Sequence, residues 1–373
     1  MSRPPRILIL SASIGEGHDL PARMIRDGLL AQRPDAVVEI RDAVAEVGGI
    51  VEALVTQEGT LQRRWLSWFY DLEYWVLFRF PPGLRFLTWL GTRLSLPTVR
   101  RLLAESQPDV VVSTYPGTTE ILGRMRRWGE VHIPVVSAIS DLSALRMWAH
   151  PGVDLHLITH DESTAEVRAI APGSRIVWAR GMTNPEFERP RDEADARRSL
   201  DLPEEGGIVL VSGGGWGVGD MDGAIETALS VTGVERVVVL CGRSEALMAR
   251  LSARFGGEER VQLMGFTDRM SDLMAAADAL VHSTAGLTVL EAWVRGCRPI
   301  SYGWGVGHIR LNNRAFKRFG IAQVAKGRAQ LRAALERALA APRRPFTGYG
   351  DLPGAAEEVL ALASVVHELG DRR

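Results

Sequence analysis

Cysteine is nearly missing from this chain: there are two, Cys241 and Cys297. Two cysteines so far apart make neither a disulfide framework nor a metal-ligand spacing. Both lie among apolar or small residues and read as buried thiols of a reducing compartment. A surplus of one charge is missing too, with 44 Lys and Arg against 45 Asp and Glu and a net charge of −1. Such a balance gives no general pull toward nucleic acid and argues against a nucleic-acid partner. No stretch of about 18 uninterrupted apolar residues occurs, so no membrane-spanning helix is expected. The apolar run within Met1–Leu10 is too short for a secretory signal and reads as a first β-strand. These absences together predict a cytoplasmic protein. Repeats and low-complexity tracts are also lacking.

What is present fits two globular domains. A length of 373 residues exceeds one ordinary core and suits two domains of roughly 150–200 residues each. Hydrophobic content of 46% and charge of 24% are ordinary for a folded chain. Short β-rich runs alternate with helical patterns: Arg6–Leu10, Val37–Ile40, Asp109–Ser113, Pro134–Ile139 and Asp154–Ile158, then Ile208–Ser212, Arg236–Cys241, Arg260–Met264, Ala279–His282 and Arg298–Tyr302. Continuous rather than alternating hydrophobicity predicts parallel strands covered on both faces, hence two doubly wound α/β sheets. The expected division is 1–180, a connection over 181–206 rich in proline and charge, 207–345, and a C-terminal amphipathic helix in 346–373 returning to the first domain. Ligands of such sheets lie beyond the carboxyl ends of the strands.

Glycine-rich turns follow the first strand of each half. In Ser11-Ala-Ser-Ile-Gly15-Glu-Gly17-His18 the glycines open a helix whose first N–H groups can meet an acceptor or a phosphate. His18 at that mouth is a candidate general base, although an exposed histidine in a capping turn would look the same. The second half has Gly213-Gly214-Gly215-Trp-Gly217-Val-Gly219, where backbone can approach a diphosphate closely. It is neither a P-loop nor a dinucleotide fingerprint, and a tight structural turn is the alternative. Asp220 and Asp222 have a metal-pair spacing, but they fall where a helix should start, so N-capping by an aspartate is favoured over a metal. His156 and His160 straddle a strand end and do not suit a zinc site.

The richest stretch is Gly265-Phe266-Thr267-Asp-Arg-Met270, followed by His282-Ser283-Thr284-Ala285-Gly286-Leu287-Thr288-Val-Leu-Glu291. A strand end, a small-residue loop and a helix carrying Thr288 and Glu291 follow in order. The loop can hold phosphate, and Glu291 can accept two hydrogen bonds from a ribose diol. Phe266 can stack on a base, whose edge the Thr267 backbone can meet. A lone glutamate on a solvated helix face is the blander reading.

These motifs resemble the donor domain of GT-B glycosyltransferases, in particular the monogalactosyldiacylglycerol synthase and processive diacylglycerol glycosyltransferase family. The donor half is also similar to the peptidoglycan lipid-intermediate N-acetylglucosaminyltransferase. Gly15-Glu-Gly-His18, Pro108–Ser113, Ser140-Asp141-Leu142, His150-Pro151 and Gly181–Phe187 match the first family in order, so the resemblance spans nearly the whole chain. It implies an α/β GT-B architecture of two Rossmann-like domains facing across a cleft. It further implies His18 as base, Asp141 as an orienting residue, and Gly15 and Gly17 as an acceptor or phosphate loop. On the donor side it implies Gly213, Gly214, Gly215, Phe266, Thr267, Met270, the run Ser283, Thr284, Ala285, Gly286, Leu287 and Thr288, Glu291, and Asn312 and Asn313 in a sugar-proximal loop. The implied donor is a UDP-sugar and the acceptor a lipid such as diacylglycerol; neither metal nor cofactor is called for. The family's Lys-Ala-Gly-Pro-Gly-Thr stands here as His282-Ser-Thr-Ala-Gly-Leu-Thr, and the residues before Asn312 differ, so the sugar is left open.

Residues 60–101 hold Trp65, Trp68, Phe69, Tyr70, Tyr74, Trp75, Phe78, Phe80, Phe86 and Trp89, interleaved with seven arginines (Arg63, Arg64, Arg79, Arg85, Arg93, Arg100, Arg101) against Asp71 and Glu73. That pattern suits peripheral contact with an anionic membrane, and equally a helix pair packed on the first domain. A transferase for a soluble natural product and a nucleotide-sugar epimerase of the same fold are the remaining alternatives.

Overall fold

Each half of the chain builds one parallel sheet of six strands. The computed structural model describes residues 3–13, 16–48, 81–214, 219–303 and 308–370. It divides into one unit made of Met1–Pro185 with Asp351–Arg373, and a second made of Glu186–Gly350.

In the first unit the strands are β1 (Arg6–Ser11), β2 (Val37–Asp42), β3 (Val110–Ser113), β4 (Val135–Ile139), β5 (Leu155–Ile158) and β6 (Arg175–Trp178), in the spatial order β2-β1-β3-β4-β5-β6. Alternation along β1 sends its side chains to two cores, as the pleat requires. Ile7 and Ile9 join Val110 and Val112 under the helix Glu16–Gln32, while Leu8 and Leu10 join Val111, Leu102 and Leu122 on the other face. All four β1 side chains are nearly inaccessible, which is why the run reads as continuously apolar. The helix Ala355–Gly370 lies on the first of these cores, contributing Ala355, Ala356, Val359 and Ala363. Gly28 admits it closely: a Cβ there would stand 3.0 Å from that of Ala356.

The strands of the second unit are β7 (Gly207–Ser212), β8 (Val234–Leu240), β9 (Val261–Met264), β10 (Ala279–His282), β11 (Arg298–Tyr302) and β12 (Gln323–Ala325), ordered β12-β11-β10-β7-β8-β9. Val209 and Val211 pack with Ile225, Leu251, Leu331 and Leu335 of three covering helices. Residues 186–206, whose composition suggested a connection, are folded into this unit. They include the helix Glu193–Ser199 with Ala196 and Arg197 buried. The buried Arg295 fixes their start, donating to the carbonyls of Glu186 and Arg189 and to Ser271 Oγ.

Doubly wound sheets have a point where successive connections leave in opposite directions, and ligands gather there. In the first unit it lies between β1 and β3. In the second it lies between β7 and β10.

Candidate active site

The first switch point carries His18. Ser11 Oγ at the end of β1 donates to Asp19 Oδ1 at 2.7 Å, and Ser140 Oγ at the end of β4 donates to the carbonyl of Gly17 at 2.8 Å. These bonds tie the first turn of the helix Glu16–Gln32 to the strand ends. His18 Nδ1 lies 3.0 Å from the carbonyl oxygen of Thr114, one residue beyond β3. A carbonyl only accepts, so Nδ1 carries the proton of the neutral ring and Nε2 keeps its lone pair. The ring is half-buried between Tyr115, edge-on at 5.3 Å, and the buried Trp148 at 5.6 Å. A histidine held in one tautomer, with its basic nitrogen directed by packing, can take a proton from a hydroxyl.

Asp141 accepts from Leu142 N at 2.7 Å and from Ser143 Oγ at 3.3 Å. Those bonds shape its own turn, and the Thr114 carbonyl is one group that orients His18. Gly17 is exposed, with room around its Cα, and Gly15 lies outside the described residues. Behind Trp148 a buried imidazole holds the loop: His156 Nε2 accepts the backbone N–H of His150 at 3.2 Å. Burial, with the neighbouring His150 adding to it, pushes the His156 pKa down to about 4.

The second switch point brings together the Gly213 loop and the Ser283–Thr288 segment. Gly214 and Gly219 have φ of +70° and +116°, and both abut the β10 end. A Cβ on Gly214 would meet Thr284 Cγ2 at 3.2 Å, and one on Gly219 would meet Ser283 Oγ at 2.5 Å. Gly214 thus stands in the crevice with the buried Gly213 beside it in the chain, while Gly215 lies outside the described residues. Asp220 caps the helix Met221–Leu229 by accepting from Gly223 N at 2.9 Å, and takes the Tyr302 hydroxyl at 2.8 Å. Burial, then the Asp220 carboxylate, raises the Tyr302 pKa to about 12. Asp222 instead pairs with Arg250 and Arg254, so the two aspartates serve different partners. Among the described residues no cluster of three metal-ligating side chains occurs.

The helix Gly286–Val294 starts at Ala285, which has no side-chain cap, and no acid occupies its first turn. Helices beginning after Asp192, Asp220 and Ser244 are each capped by a side chain. An uncapped N-terminus at a strand end is a ready place for an anion. Gly286 and Leu287 are buried, whereas Thr288 and Glu291 are half-buried and one turn apart on the same side.

Phe266 follows β9 and is 58% exposed, far more than a phenylalanine needs for packing. The Arg243 guanidinium, three residues beyond β8, sits 3.8 Å from its ring centroid. Thr267 Oγ1 accepts from Arg269 N at 3.0 Å, which starts the helix Met270–Ala276. Asn312 and Asn313 do not stand in a loop: both belong to the helix His308–Phe319. Asn312 is wholly buried, and Asn313 Oδ1 accepts from Ser301 Oγ at the end of β11. The helical run continues back to His308, so the asparagines face the β11 end from its second turn. Of the aromatic cluster, residues 60–80 lie outside the described residues; Phe86 and Trp89 fall in the helix Pro81–Ser106.

The family model for monogalactosyldiacylglycerol (MGDG) synthase matches residues 22–176. A processive diacylglycerol beta-glucosyltransferase of Staphylococcus aureus is 24% identical over 307 residues, covering 80% of this chain and 75% of that protein. The chain thus resembles the diacylglycerol glycosyltransferases. The fold is that of the GT-B glycosyltransferases. A Medicago truncatula protein complexed with UDP-glucose superposes with a TM-score of 0.58 at 11% identity, over 98% of each chain. The glycosyltransferase SnogD of Streptomyces nogalater gives 0.55 at 16%, over 98% of this chain and all of that one. The family match takes in most of the helix that begins at Glu16, then β3 and the His150 loop, but starts after β1 and His18.

Four groups that the sequence reading did not assign enter these sites: Thr114, Trp148, Arg243 and His282. Thr114, Arg243 and His282 sit at or just past strand ends and Trp148 ends the short helix Leu145–Trp148, and only the strand order brings them to a crevice.

Proposed function

We propose that the chain is an inverting hexosyltransferase that moves sugar from a UDP-sugar to a hydroxyl of a lipid acceptor such as diacylglycerol. The observation that carries this reading is the pair of switch points, one holding a tautomer-fixed histidine and the other an uncapped helix N-terminus faced by glycine backbone. The similarity to a diacylglycerol beta-glucosyltransferase supports the acceptor class, and likeness to a protein complexed with UDP-glucose supports the donor class.

In this reading His18 Nε2 removes the acceptor proton as the oxygen attacks the anomeric carbon. The bond to the diphosphate oxygen breaks, and the leaving charge falls to backbone N–H groups in the first turn of the helix Gly286–Val294. Glu291 holds the ribose diol and Phe266 stacks on the base, with Asn313 toward the sugar. No helix among the described residues is long and apolar enough to cross a membrane. The aromatic and arginine-rich segment 60–101 would meet anionic lipid on the inner face of the cell membrane.

The test is calorimetry with UDP, TDP, GDP and ADP, joined to transfer from UDP-hexoses to diacylglycerol in anionic vesicles. Selective UDP binding and a glycolipid product that disappears in His18→Ala are expected. Transfer retained in that variant, or preference for another nucleotide, would overturn the assignment.

A further inference from the structure

His282 closes β10 at the second switch point and is 1% exposed. Its Nδ1 accepts the backbone N–H of Thr284 at 3.3 Å and lies 2.9 Å from Thr284 Oγ1. Because the amide can only donate, Nδ1 is unprotonated, the hydroxyl also donates to it, and the proton sits on Nε2. That Nε2–H has no hydrogen-bond partner among the described residues; the ring instead packs 5.9 Å from Phe316. A buried unsatisfied donor costs about 1–3 kcal/mol, and an aromatic hydrocarbon of similar size would avoid it. Stability alone therefore does not explain an imidazole here. Residues that break a folding rule at such a cost are concentrated at functional sites.

What the imidazole supplies is an acceptor for both donors of Thr284. Thr284 in turn fills the space against Gly214, while Ser283 fills that against Gly219, directly before the uncapped helix Gly286–Val294. We propose that His282 is a positioning residue: it fixes the Ser283–Thr284 turn against the glycine loop so that the backbone there is pre-shaped for a diphosphate. The inference rests on the reading of this crevice as the nucleotide-sugar diphosphate site, and it assigns His282 no contact with substrate. Pre-shaped donors bind an anion without first being ordered.

The experiment compares the full-length wild type with His282→Phe and His282→Asn by calorimetry, using UDP and uridine as probes, and records Tm for each. The phenylalanine removes the Nδ1 acceptor and the unpartnered N–H; the asparagine keeps an acceptor near the Nδ1 position. His282→Phe is expected to weaken UDP about tenfold, the loss of about one neutral hydrogen bond. Uridine affinity should stay unchanged and Tm unchanged or higher. His282→Asn should recover UDP affinity to within about threefold of wild type on the same scale. Equal UDP affinity in His282→Phe and wild type would overturn the inference alone, as would parallel loss of UDP and uridine. Wild type that binds uridine and UDP equally, or neither, would remove the diphosphate reading and the inference with it. Should His282→Phe fail to fold, Thr284→Val keeps the methyl beside Gly214 and removes the hydroxyl from Nδ1. A UDP-specific loss of about threefold is then expected, and no loss would overturn the role.

Discussion

The two units share a six-stranded parallel sheet and a switch point, yet they present different chemistry there. The first unit offers an imidazole: its backbone carbonyl at Thr114 faces His18 and sets the tautomer. Among the described residues the second offers no base at the equivalent place. Its glycines and the uncapped start of Gly286–Val294 present backbone, and its own imidazole, His282, is buried behind that backbone. The same architecture thus becomes basic where a strand-end carbonyl meets a histidine, and presents bare backbone where glycines abut the strand end.

The largest effect that could break this comparison is on turnover. His18→Ala is expected to lower kcat about a hundredfold or more while leaving UDP affinity near wild type, as steady-state kinetics and calorimetry on one preparation would reveal. An equal fall in UDP affinity would mean that the two sites are not separable. Glu291→Ala should do the reverse, weakening UDP about ten- to a hundredfold through loss of charge-assisted hydrogen bonds, with little change in kcat at saturating donor. Phe266→Ala should cost UDP and uridine alike, by about fivefold if stacking contributes about 1 kcal/mol, the low end for a base on an exposed ring.

The smallest effect concerns pH, and both units contribute. Burial pushes His156 and His282 each down to about 4 from an ordinary 6.5. The unfolded chain therefore binds protons more readily between these values, and stability rises with pH there. Their contribution is full above about pH 6.5 and is lost as pH falls toward about 4. Tm measured across that window should drop in the wild type and drop less in His282→Phe. A Tm curve identical in both would show that His282 is not buried neutral.

Much of the fold was legible because parallel strands buried on both faces leave long apolar runs. Among the described residues, eight of the twelve strands announce themselves this way, and the edge strands β2 and β9 were legible from their apolar residues although partly exposed. β6 and β12 were not, as β6 has only four residues and β12 three, each too short a run to stand out. The glycine turns after β1 and β7 were equally plain, and so was the capping role of an aspartate at 220. Strand order was not legible, and with it went Thr114 beside His18 and Arg243 over Phe266, whose partners are distant in the chain. Periodicity also failed to place Asn312 and Asn313 on a helix, because Gly303–Gly307 suggests a loop that ends later than it does.

The helix Ala355–Gly370 has a consequence for synthesis. A ribosome delivers chains from the N-terminus, and domains usually fold in that order. Here one face of the first sheet waits for Ala355, Val359 and Ala363, which emerge only after every strand of the second unit. The second unit can therefore mature first on the ribosome, while the part of this core beside β3 that the helix Glu16–Gln32 does not cover remains open until the final helix arrives. Chaperone contact during translation should concentrate on that apolar face, and a stop codon at position 351 should leave it permanently bare.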